Sequence, residues 1–299
     1  MAKRKAGGDM APPPPKTKMD IDGEDSGSDD DASILNVDFE WFDPQPAVDF
    51  HGFKTLLRQL FDADNQLFDL SALADLILSQ PTLGSTVKCD GNESDPYAFL
   101  TVLNLHQHHD VPVIKELTRF LVEKATSIDS LKSLQGLLGS DSKSQVGLIL
   151  TERFINIPHA TVPPMYNMLQ EEMQWANDDG EPYQFTHYLV ISKTYREVAS
   201  QLDMEVEDDR PQKKVKAKKG GAAVEETFYF HPEDEVLQKH ALGFGGFDYT
   251  KQSEEGASDS KRAFQEMGVK PQGLMMLIDG KKFEGAVKAL GEYLGTGED

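Results

Sequence analysis

Histidines come closest to a reactive cluster in this chain, in the stretch His106-Gln107-His108-His109-Asp110. Alternate side chains on a strand share a face, so His106 and His108 could both ligate one ion. The cluster closes a predicted strand, however, where solvated polar residues are ordinary, and no partner spacing elsewhere completes a metal site. Cys89 is the single cysteine. It rules out an intramolecular disulfide and any multi-cysteine zinc site, fits a reducing compartment, and is expected to be a buried structural thiol. There is no Gly-x-x-x-x-Gly-Lys-Ser/Thr phosphate loop, no Gly-x-Ser-x-Gly elbow and no His-Glu-x-x-His helix. Paired carboxylates occur throughout so acidic a chain and single out nothing. The expectation is a protein without catalysis, cofactor or metal.

One glycine run invites a different chemistry. His240-Ala-Leu-Gly243-Phe-Gly245-Gly246 resembles the Gln/Arg-x-x-Gly-x-Gly/Ala loop with which GNAT-type acetyltransferases grip the coenzyme A pyrophosphate. Backbone N–H groups at a helix start do that work, and glycines permit the close approach. Here His240 stands where Gln or Arg belongs. The run also follows a predicted helix, whereas such a loop follows a strand and opens a helix. A glycine-rich helix C-terminus is the preferred reading.

Other short patterns concern traffic. Lys213-Lys214-Val215-Lys216 fits the basic signal read by nuclear import receptors. Lys3-Arg4-Lys5, followed ten residues on by Lys16-Thr17-Lys18, approximates the two-part version. Both point to nuclear import. Asp20, Asp22, Glu24, Asp25, Asp29, Asp30 and Asp31 make the segment after them acidic and are candidate contacts for a cationic client. Ser26 and Ser28 precede Asp29–Asp31 in a context that acidophilic kinases favour, and phosphorylation would add ~1.5–2 negative charges at each site.

The elements that must carry these residues follow from apolar spacing. Residues 1–33 cannot bury enough apolar area to order themselves, so a disordered tail, basic then acidic, is expected. Helical spacing predicts Asp49–Phe61 with Asp49 as N-cap, Leu70–Leu78, 110–125, 127–138, a helix from Pro163-Pro164 toward Trp175, 233–241 and Phe283–Leu294. Strands are predicted at 85–89 and 98–105, paired around Asp90-Gly91-Asn92, and at 146–150, 185–191, 226–230 and 274–278. Residues 203–224, acidic then Lys-rich, read as a disordered charged loop. Helices and strands mingle throughout. A single α/β (mixed α+β) domain over 35–299, with a central mixed sheet flanked by helices, is the expected architecture.

Charge narrows the partners. The chain has 51 acidic and 30 basic residues, a net charge of −21. Nucleic acid is disfavoured as a direct partner, because phosphate binding relies on clustered Lys and Arg; a basic protein is attracted. Residues 1–19 carry +4, 20–40 carry −9, and 41–299 carry the remaining −16. Most of the negative charge therefore belongs to the body. No run approaches about 20 apolar residues and the N-terminus lacks a signal-peptide core, so a soluble intracellular protein without membrane contact is expected.

Seven strings in order then resemble the BCCIP family: Val37-Asp-Phe-Glu-Trp-Phe-Asp-Pro44, Asp49-Phe-His-Gly-Phe-Lys54, Asp95-Pro-Tyr-Ala-Phe-Leu-Thr-Val-Leu-Asn-Leu105, Glu152-Arg-Phe-Ile-Asn-Ile-Pro158, Val162-Pro-Pro164, His187-Tyr-Leu-Val-Ile-Ser192 and Phe228-Tyr-Phe-His-Pro-Glu-Asp-Glu235. The resemblance runs from about residue 37 to the C-terminus, outside the tail and the charged loop. It implies a GNAT-like fold without acetyltransferase activity. For fungal members it implies a nuclear chaperone for a basic large-subunit ribosomal protein, with a role in export of a phosphoinositide kinase and in ribosome biogenesis. The family offers no catalytic motif to carry over. A degenerate GNAT-type acyltransferase, and a scaffold in DNA repair or cell-cycle control, are the competing readings.

Overall fold

The computed structural model describes residues 37–80, 83–139, 141–197, 227–251 and 269–295, and every element below falls within Phe39–Asp299. In chain order these are β1 (Glu40–Phe42), α1 (Pro46–Phe61), α2 (Leu70–Leu78), β2 (Ser85–Lys88), β3 (Ala98–Asn104), α3 (Pro112–Thr126), α4 (Leu134–Leu137), β4 (Val146–Arg153), α5 (Val162–Asp178), β5 (His187–Glu197), β6 (Thr227–Tyr229), α6 (Glu233–His240), β7 (Ala241–Phe247), β8 (Val269–Asp279) and α7 (Gly280–Leu294). None of the described helices is long and apolar enough to cross a membrane.

The strands form one mixed sheet in the order β1-β2-β3-β4-β5-β8-β7, with β6 pairing β5 off that path. Described neighbours are antiparallel except β4 and β5, which run parallel from Val146 opposite His187 to Leu150 opposite Ile191. Parallel strands need a crossover connection, and α5 supplies it. Period-two alternation then sorts the central strands between two cores. Phe99, Leu103, Leu148, Leu150, Leu189 and Leu277 pack against α1, α2 and α3. Leu100, Val102, Ile149, Val190, Met276 and Ile278 pack against α5, α6 and α7. Covering both faces explains why these strands read as nearly unbroken apolar runs. Each fully buried aliphatic side chain contributes about 1.5–3 kcal/mol.

Local chemistry sets the element ends. Pro46 and Pro112 occupy the first turns of α1 and α3, where a missing N–H costs little. Asp69 caps α2, its Oδ1 accepting from the Ser71 and Ala72 N–H groups at 3.0 Å. Asp279 caps α7 through the Lys281 N–H at 2.9 Å.

Three sequence expectations are corrected. Asp49 is not the N-cap of α1: Gln45 is, and Asp49 sits inside the first turn with its Oδ2 accepting the Gln45 N–H at 2.7 Å. The predicted helix over 127–138 is a 3-10 turn at Asp129–Leu131 followed by the one-turn α4. Tertiary contact holds that turn, since Ser130 Oγ donates to the Phe244 carbonyl at 2.8 Å. The glycine run 243–246 is neither a helix terminus nor a loop. It is strand β7, antiparallel to β8. Its glycines serve close approach to protein: a Cβ on Gly243 would collide with the Ser130 carbonyl, and one on Gly245 would meet the Ile128 side chain at 2.6 Å.

Candidate functional site

The sequence candidates for import (Lys3, Arg4, Lys5, Lys16, Lys18, Lys213, Lys214, Lys216), for acidic client contacts (Asp20, Asp22, Glu24, Asp25, Asp29, Asp30, Asp31) and for phosphorylation (Ser26, Ser28) all lie outside the described residues. So do the proposed tail 1–33 and the loop 203–224. The histidine cluster is described, and it lies beyond the strand. β3 ends at Asn104, whose Oδ1 accepts the N–H groups of His106 and Gln107 at 3.0 and 3.1 Å and turns the chain. His106 Nε2 then meets the Leu137 carbonyl at 3.1 Å, and His109 Nδ1 meets the His106 carbonyl at 2.7 Å. Burial lowers the pKa of His106 and of His108. No group of three metal-ligating side chains occurs among the described residues. Cys89 is half-buried just past β2 rather than fully buried. Burial and then the Asp90 charge raise its pKa, which disfavours the thiolate.

In a sheet of this kind the natural ligand crevice opens at the carboxyl ends of a parallel pair, beside the helix that follows. Here that place lies past Leu150 of β4 and Ile191 of β5, and side chains fill it. Glu152 is held by Lys193 Nζ at 2.6 Å, His231 Nε2 at 3.0 Å and Gln59 Nε2 at 3.1 Å. On the opposite face Arg153 pairs with Glu233, and Ser192 Oγ donates to Asp234 Oδ2 at 2.5 Å. Glu152, Arg153, Lys193, His231, Glu233 and Asp234 are all buried. Burial opposes ionisation of Glu152, but its bond to His231 and the Lys193 charge outweigh it and lower its pKa. Burial likewise opposes protonation of His231, and Glu152 outweighs it, so that pKa is raised. Burial pushes Asp234 up.

The start of α5 offers nothing to an anion either. Its cap is Thr161, the Val162 N–H is taken by the His159 carbonyl, and Pro163 and Pro164 have no N–H to give. Trp41 Nε1, donating to the Thr161 carbonyl at 3.2 Å, ties the turn to β1. The one crossover among the described strands therefore lacks the donors with which a nucleotide or coenzyme phosphate is held.

What the folded body does carry is an excess of acidic residues. The described residues include 30 Asp and Glu against 17 Lys and Arg. The imbalance is sharpest over 154–192, which has Glu171, Glu172, Asp178, Asp179 and Glu181 and no Lys or Arg. Glu172 accepts the Gly84 N–H at 2.8 Å. Its pKa is pushed up to about 7, first by burial and then by the charges of Asp43 and Glu171. Sequence reasoning singled out none of these residues, although the gap in Lys and Arg is visible there.

Comparison with known proteins fixes the lineage. The family model described as BCCIP matches residues 34–237. The chain belongs to the BCCIP family. Fungal proteins align over nearly the whole chain: "Protein bcp1" of Aspergillus fumigatus is 62% identical over 271 residues, 91% of each chain, and "Protein bcp1" of Schizosaccharomyces pombe is 51% identical over 264 residues, 88% of this chain and 91% of that one. The crystal structure of BCP1 from Saccharomyces cerevisiae superposes with a TM-score of 0.59 at 26% identity, covering 86% of this chain and 89% of that one. The mixed α/β sheet is thus a BCCIP-family fold. The strings that carried the resemblance sit on it at β1, the start of α1, β3, the end of β4, the start of α5, β5 and the β6–α6 junction.

Proposed function

We propose that this BCCIP-family chain is a non-catalytic nuclear escort for a basic protein of the large ribosomal subunit, and that it supports that client's transport and ribosome biogenesis. The observation that carries the reading is the excess of acid on the folded body, concentrated where Lys and Arg are missing from 154–192. A newly made ribosomal protein bears cationic side chains that ribosomal RNA has not yet neutralised. An acidic face shields them, raises the encounter rate, and yields the client when RNA outcompetes it. Import receptors would read Lys3–Lys18 and Lys213–Lys216, export receptors would complete the cycle, and a phosphoinositide kinase is a second expected cargo. Nucleic acid and membrane are not partners in this reading.

A GNAT-like ancestry is part of the proposal, supported by the parallel β4–α5–β5 unit within an otherwise antiparallel sheet. The degenerate acyltransferase loses support at the same place, where buried ion pairs occupy the crevice and prolines replace the donors. The test is affinity capture from cell extract at low and moderate salt, with bound proteins identified by mass spectrometry. One dominant basic ribosomal protein should persist at moderate salt. A broad set of basic proteins washing away together would refute a specific escort. Partners that are not basic would favour the scaffold, and saturable acetyl-coenzyme A binding the acyltransferase.

A further inference from the structure

The solvent face of α5 departs from ordinary helix chemistry. Unsatisfied carbonyls leave a partial negative charge at a helix C-terminus, so Lys and Arg are favoured there. The last turn of α5 has none, and it ends on Asp178 with Asp179 as cap. Glu171, Trp175 and Asp178 stand at i, i+4 and i+7, hence on one face. All three are exposed, and Trp175 presents 61% of its surface to solvent. The helix does not need this indole for packing, since Tyr166, Leu169, Met173 and Ala176 fill the core from the other side. A large aromatic exposed to water between carboxylates departs from two local rules, as functional positions do.

We propose that Glu171, Trp175 and Asp178 form the seat for an arginine-rich segment of the basic client. A guanidinium stacks on the Trp175 indole while neighbouring basic residues reach the two carboxylates. Arginine suits the seat better than lysine, because its planar group both stacks on an aromatic face and forms paired hydrogen bonds to a carboxylate. Glu171 and Asp178 lie about 10 Å apart along the helix axis at ~1.5 Å per residue. Three residues of extended chain cover that span at about 3.3 Å each, so consecutive basic residues fit it. The inference rests on the escort reading and deepens it.

The experiment uses the full chain and fluorescein-labelled hexa-arginine as the probe, with Kd read by anisotropy. Trp175→Ala, and separately E171Q/D178N, should weaken binding by about tenfold, as loss of a Trp-centred hot spot does. D90N/E93Q makes the same charge change at exposed positions in the β2–β3 turn and should shift Kd by no more than about twofold, as expected for screened, non-contacting charge. In a Trp41→Phe background Trp175 is the sole tryptophan, and its emission should change saturably with hexa-arginine. If the α5 variants weaken binding no more than D90N/E93Q does, the seat is wrong while the escort reading stands. If hexa-arginine does not bind and no basic protein is captured from extract, both fall together.

Discussion

Lys88→Met tests the physical account of the fold most sharply. Lys88 on β2 and Asp49 on α1 are both wholly buried, with Nζ 2.6 Å from Oδ1. Lys88 Nζ also donates to the Asn92 carbonyl at 2.6 Å, pinning the β2–β3 turn. At an effective dielectric of about 20 the attraction at this separation is roughly 6 kcal/mol gross. Much of that only offsets the desolvation of two ions. Removing the cation leaves the Asp49 carboxylate buried with the Gln45 N–H donating to it, and breaking such pairs typically costs about 3–5 kcal/mol. For a folded body of this size that corresponds to a fall in Tm of roughly 6–20 °C. D49N/K88M removes both charges and should recover a large part of the loss, giving a coupling energy of about 2 kcal/mol or more. Urea and thermal unfolding of the full chain at neutral pH measure all three variants. A loss below about 1 kcal/mol for K88M, or strict additivity in the double variant, would refute the reasoning.

Two further outcomes concern pH. Glu172, with its folded pKa raised to about 7, binds its proton more tightly folded than unfolded, so it contributes stability at acid pH that is lost as pH rises from its unfolded value toward 7. Glu172→Gln keeps an acceptor for the Gly84 N–H and should be more stable than the parent at pH 8, by up to about 3 kcal/mol at 1.36 kcal/mol per unit; equal stability across pH 5–8 would count against it. His231, with a raised pKa, contributes stability that is full below its unfolded pKa and lost as pH rises through the folded one, whereas Glu152, with a lowered pKa, contributes above its unfolded pKa and loses it as pH falls through the folded one. His231→Gln should therefore be most destabilised near pH 6 and approach the parent at alkaline pH in urea titrations, and a pH-independent gap would refute the assignment.

Much of the fold was legible because it depends on local period and punctuation. The apolar spacing of α1, α2, α3 and α7, the two apolar runs about Asp90-Gly91-Asn92, and the prolines opening α5 are properties of neighbours in the chain. The ends of β5 and β8 were not legible. Lys193, Thr194, Lys270 and Gln272 interrupt the apolar runs, yet β5 and β8 pair from His187–Asp279 to Glu197–Val269, because the partner strand supplies hydrogen bonds that apolar content does not report. The same cause hid β7, where glycine weakens any strand signal and the close approach of Ser130, 114 residues away, explains the choice. The charged crevice shows the limit again: nothing in the spacing of Glu152, Lys193 and His231 brings them together, and only the closed sheet does.

Composition alone determined the acidity of the body and the absence of multi-cysteine chemistry, because net charge and residue counts do not depend on how the chain folds. Ordered strings of sequence determined the family. Tertiary structure alone decided that the glycine run is a strand, that the parallel crossover is blocked by buried ion pairs, and that Glu171, Trp175 and Asp178 face solvent together. Those facts depend on which distant residues meet, and burial, pairing and exposure exist only once they do.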